Sequence, residues 1–105
     1  MFVARVVKIP ADDDHAEGLG FPNAGTGDEL DYTFDFGSWL GPLDRVANAS
    51  VVPSPDMPVG TVTVDHGQVI ARLGPATATG TYFIGCCVVT PQGRVKSVAA
   101  AVTLQ

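Results

Sequence analysis

Asp12, Asp13, Asp14 and His15 stand together in a stretch rich in Gly and Pro. Adjacent carboxylates in such a loop can attract calcium. An EF-hand, however, needs ligands at alternate positions and a late bidentate Glu. That spacing is missing, so the cluster reads as a solvated acidic loop. Zinc needs about four Cys, His or carboxylate ligands at short spacings. His15 and His66 are far apart, and Cys86 and Cys87 are adjacent rather than two residues apart. Asp65 and His66 contain half of a nucleophile-activating relay, but with Gly67 they form a turn signal between two β-rich runs. Asp31 and Asp35 lie four apart in a presumed strand, roughly 13 Å by strand rise, too wide for either glycosidase geometry. Trp39 could stack a sugar, or it could fill a core. Gly18, Leu19 and Gly20 lack the strand–turn–helix setting of a dinucleotide fingerprint. No catalytic, metal or cofactor site emerges, and the expected function is non-enzymatic.

The chain has 105 residues, the size of one domain with one core. Apolar residues make up 46% and charged residues only 16%, below the usual ~25%. Few charges and many valines fit either a surface that partly meets other protein or simply the ordinary composition of a small Ala/Val-rich domain. The net charge is −5, and the six Lys and Arg are scattered. Binding to nucleic acid or an anionic membrane therefore has no electrostatic basis. Residues 2–9 are too short and too charged for a signal-peptide core. No apolar run approaches a membrane span. Neighbouring residues of a strand point to opposite faces, so Cys86 and Cys87 read as two free thiols. They suit a chain folded in a reducing cytoplasm.

The elements that must position these residues are β-strands. Short β-rich runs alternate with turn signals over residues 29–105, at roughly 30–36, 45–52, 59–65, 68–73, 80–90 and 94–104. Tyr82, Ile84, Cys86 and Val88 share one face of their run, and Val98, Ala100, Val102 and Leu104 share one face of the next. Val69, Ala71 and Leu73 form a third row, Val62 and Val64 a fourth. Four rows of period two exclude a helical domain. At most one helical turn is expected, near residues 38–43. The expected fold is an all-β, immunoglobulin-like antiparallel sandwich of about seven strands. Residues 1–28 hold a strand-like run, Phe2 to Ile9, and then a Gly/Asp-rich stretch anchored only by Leu19 and Phe21. The run is either the first strand of the sandwich or an arm that adds to a neighbour's sheet edge. The acids of 29–35 suggest an edge strand. Phe83, Val89, Ala99 and Ala101 form outward rows that are unusually apolar.

The segment Leu30, Asp31, Tyr32, Asp35, Phe36, Trp39 and Leu40, followed by Asp44 and Val46, resembles the opening motif of a family of small tailed-phage proteins, the fibre–tail adaptors. Val69 to Leu73, Gly80, Tyr82, and then Thr90, Gly93 and Arg94 resemble its second half. The turn Gly74–Pro75–Ala76 departs from the family's usual Gly-Gly, and residues 1–28 are longer than its pattern. The resemblance implies a virion structural protein made in the host cytoplasm. It would join fibres to the tail or neck through protein contacts, as several copies on a symmetric ring. The rival reading is a capsid decoration or other surface-binding module of the same fold. The candidate contact residues are Phe2, Val3, Val6, Leu19, Phe21, Phe83 and Arg94, with Arg94 expected to meet a carboxylate.

Overall fold

The computed structural model describes residues 5–9, 19–42 and 44–105. The strands are β1 (Val6–Lys8), β2 (Leu30–Asp35), β3 (Asn48–Ser54), β4 (Val59–Asp65), β5 (Gln68–Leu73), β6 (Gly80–Val89) and β7 (Val95–Leu104). One helical turn, α1 (Gly37–Leu40), follows β2. Two sheets form, in the orders β1-β2-β5-β4 and β3-β6-β7. All pairings among β2 to β7 are antiparallel, and β1 runs parallel to β2. The expected two-sheet, seven-strand β architecture is therefore present.

Alternation places the core. Tyr82, Ile84, Cys86 and Val88 of β6 are buried, as are Val98, Ala100, Val102 and Leu104 of β7. From the other sheet come Tyr32 and Phe34 of β2 and Val69, Ala71 and Leu73 of β5. Phe34 and Phe36 are fully enclosed. The fourth expected row is weaker, because Val62 is half-buried while Val64 is 39% exposed.

The structure corrects three expectations. The strand 30–35 is interior rather than an edge, because β1 lies along its outer side and puts Val7 and Ile9 into the core. Its acids are accommodated locally: Asp31 pairs with Arg72 at 3.2 Å, and Asp35 accepts the Gly37 N–H at 2.9 Å. The strand expected at 45–52 lies at 48–54 and includes Pro53. An edge strand tolerates a proline because one side of its backbone needs no partner. Finally, residues 19–26 are not an unpacked loop. They run beside β7, and the Phe21 and Ala24 N–H groups donate to the Ala101 and Thr103 carbonyls at 2.8 and 3.1 Å. Phe21 turns inward and meets Tyr32 and Phe34 edge-on, with ring centroids 5.0 and 5.4 Å away. Such aromatic pairs contribute about 0.5–1.5 kcal/mol each beyond their burial. Arg5 fastens the same segment by donating to the Pro22 and Asn23 carbonyls. One side of the sandwich is thus closed by this strap, which joins the two sheets.

Candidate interaction surfaces

The outward positions of the three-stranded sheet follow from its pairing. They are Asn48, Ser50, Val52 and Ser54 on β3, Thr81, Phe83, Gly85, Cys87 and Val89 on β6, and Val95, Ser97, Ala99, Ala101 and Thr103 on β7. None carries a charge, although the chain as a whole is at −5. Phe83 is 54% exposed and Val52 65%. Both lie over small neighbours, since Phe83 is opposite Ala101 and Val52 opposite Gly85. Beside Phe83 the strap and β7 enclose an open groove of about 410 Å³, with Leu19, Ala99 and Thr103 in its walls. The face is uncharged, with a large aromatic side chain standing in water, a composition that resembles the core of protein interfaces more than ordinary surface.

A second feature lies at one end of the sandwich. The turn Pro91–Gly93 carries Arg94 toward α1 and the segment after it. The guanidinium donates to the Trp39 carbonyl at 2.9 Å, the Leu40 carbonyl at 3.2 Å and the Asp44 carboxylate at 3.0 Å. It also sits over the Trp39 ring, 4.3 Å from the centroid. Gly41, at φ 77°, ends the helix and leaves these carbonyls open to an outside donor. Thr90 secures the turn by accepting the Arg94 N–H on its hydroxyl at 3.1 Å. Trp39 is half-buried at the rim of the core and edge-on to Phe36. The arginine–carboxylate pairing expected from the sequence is present, and its partner is Asp44. The two backbone acceptors had no sequence signal, because carbonyls carry no residue identity.

The other candidate residues separate. Phe2 and Val3, like Asp12 to His15, lie outside the described residues. Val6 is exposed on β1, Leu19 packs partly against the core, and Phe21 is buried within this chain. Among the described residues no group of three or more His, Cys, Asp and Glu is placed to hold a metal ion. His66 occupies the β4–β5 turn at φ 57° and touches Asp65 at 2.6 Å in full exposure. No helix among the described residues is long and apolar enough to cross a membrane.

Both cysteines are free thiols. Burial, helped by the neighbouring Cys87, pushes the Cys86 thiol from its ordinary 9.0 up to about 12. Burial likewise raises Tyr32, against the lowering effect of Arg5, with Asp28 adding to the rise. Between pH 9 and 12 the unfolded chain releases the Cys86 proton and the folded chain keeps it. This contribution is therefore complete below pH 9 and is lost as pH rises toward 12, with a slope approaching about 1.4 kcal/mol per pH unit. Urea midpoints measured from pH 7 to 11 are expected to fall on the alkaline side. A thiol reagent at pH 8 is expected to label Cys87 in the folded chain and both thiols only in denaturant. Rapid labelling of two thiols in the native protein would contradict this placement.

The structure defines an all-β, two-sheet protein with one uncharged, partly exposed sheet face. Comparison with known families is more specific. Residues 25–103 match the family described as podophage GP4 fiber-tail adaptor protein gp77, and the chain belongs to that family. Membership implies a structural role at the tail of a phage virion. No curated protein matches the chain significantly.

Proposed function

We propose that this protein is a non-enzymatic component of the virion that joins tail fibres to the tail or neck. It does so purely by protein–protein contacts, with several copies arranged around the tail axis. Family membership supports the role. The observation that carries the contact mechanism is the uncharged outer face of β3, β6 and β7, with Phe83 exposed on its middle strand. Interfaces of this kind lose charge at their core and gain aromatic anchors. The negative net charge favours a protein partner over nucleic acid or an anionic lipid surface.

Cryo-electron microscopy of purified particles tests the location. Density in a ring between tail and fibre bases supports the reading, and density spread over the capsid shell turns it into decoration. Phe83→Lys tests the surface. The side chain is already largely in water, so the fold is expected to change by no more than about 0.5 kcal/mol. Attachment of fibres or of the tail is expected to fall by at least tenfold, about 1.4 kcal/mol or more. Particles that assemble with normal fibre occupancy would show that this face is not used.

A further inference from the structure

The four-stranded sheet has two open sides among the described residues: the outer edge of β4 and the outer edge of β1. Edge strands in isolated domains are normally guarded by charge, proline or brevity. β4 is seven residues long, holds no charge before Asp65 and buries almost nothing of itself. Its one irregularity falls near its start, between Val59 and Val62. Lys8 on β1 is exposed and has no ion-pair partner among the described residues.

The two edges are matched in direction and in backbone phase. β1 is parallel to β2, β2 antiparallel to β5, and β5 antiparallel to β4, so β1 and β4 point the same way. A copy rotated about an axis along the strands would bring its β1 beside β4 as a parallel strand. In β4, the two-residue loop after Asp65 makes Asp65 and Gln68 a hydrogen-bonded pair. Val62 and Val64 then direct their N–H and C=O groups outward. In β1, Arg5 and Ile9 bond to β2 through the Arg5 carbonyl and the Ile9 N–H. Val6 and Lys8 therefore direct theirs outward.

A parallel ladder between these groups sets Val64 opposite Val7. The Val6 N–H donates to the Val62 carbonyl, the Val64 N–H to the Val6 carbonyl, and the Lys8 N–H to the Val64 carbonyl. This register continues the core-facing row, because Val7 and Val64 are both on the inner side. It also places Lys8 directly opposite Asp65 on the outer side. A slip of two residues keeps the backbone phase and loses the charge pair.

We propose that the occupant of the β4 edge is β1 of a second copy of this chain, in the register Val64–Val7 and Asp65–Lys8. The contact is head-to-tail, so it repeats around an axis and closes when the rotation allows. It is small, and it gains strength from closure of the ring rather than from one pair of copies. The inference rests on the adaptor reading only in requiring more than one copy side by side.

The test uses the full chain with Cys87→Ser as background, so that no half-exposed thiol competes. One sample carries Asp65→Cys and a second carries Lys8→Cys. Both substitutions are at exposed positions and leave the ladder groups intact. At high protein concentration, a short thiol–thiol crosslinker is expected to yield a species of twice the chain mass in the mixture and in neither sample alone. A chain carrying both substitutions is expected to give a ladder of higher species. Adding Val64→Pro removes an outward N–H while leaving the β5 pairing intact, and is expected to abolish the crosslink with circular dichroism unchanged.

Crosslinking of the Asp65→Cys sample with itself would overturn the proposal in favour of β4 pairing with β4. A mixture that crosslinks no more than a Lys8→Cys sample mixed with Thr81→Cys would overturn it outright. Crosslinking of Asp65→Cys only to another virion protein would assign the edge to a different strand. Each of these results leaves the particle-location experiment free to succeed or fail by itself.

Discussion

Arg94→Ala is expected to lower stability by about 2–3 kcal/mol, read as a lower urea midpoint with an unchanged slope. The substitution removes the donors to the Trp39 and Leu40 carbonyls and the cation over the Trp39 ring. It also leaves Asp44, with 8% of its side chain exposed, facing no cation. The Arg94 side chain is 41% exposed. Water screens part of the ion pair, which holds the expected loss below the 3–5 kcal/mol of a fully buried one. Arg94→Lys is expected to recover less than half of the loss. An ammonium cannot reach three acceptors and cover the indole at once. A cycle with Asp44→Asn should show coupling of about 1 kcal/mol between the two residues. Additive losses would mean that Arg94 acts through the carbonyls and Trp39 alone. The same variant also separates fold from assembly. If the isolated domain is weakened while attached fibres remain at normal occupancy, the arginine serves this chain rather than a partner.

Gly74→Ala is expected to cost more, about 3–5 kcal/mol, a fall in Tm on the order of 15–25 °C for a domain of this size. Gly74 sits at φ 101°, where an L side chain is strained. A Cβ there would collide with the Asp28 carbonyl oxygen, a backbone atom that cannot swing aside. The collision reaches three elements. Asp28 closes the end of the strap through Gly25, the Gly74 N–H donates to the Pro58 carbonyl at 3.0 Å, and Leu73 ends β5 opposite Leu30. Thermal denaturation followed by circular dichroism checks the value. A fall of less than 5 °C would mean that the β2 approach relaxes around the methyl group. The glycine kept at this turn, where the chain departs from the Gly-Gly resemblance, thus has a steric reason.

The pattern of the chain carried much of this. The inward rows of β5, β6 and β7 were legible because alternation depends only on the order of residues along one strand. The family motif was legible for the same reason. The strap was not: residues 19–26 have no period, and their hydrogen bonds go to Ala101, Thr103 and Gln105, about eighty residues away. Nor could the sequence tell an interior strand from an edge one. The acids of β2 suited an edge, and only the lateral contact with Val6–Lys8 made the strand interior. Pro53 misled in the opposite sense, ending a strand in the sequence reading that in fact continues at an open edge.

By itself, then, the sequence determined the strand content, the inward rows, the scarcity of charge and the family to which the chain belongs. These follow from composition and from spacing within single elements. The tertiary structure alone decided which strand lies beside which, which edges remain open, and where Arg94 spends its donors. Those are relations between segments tens of residues apart. They are set by the packing of whole faces and the pairing of backbone groups, neither of which leaves a local mark on residue type.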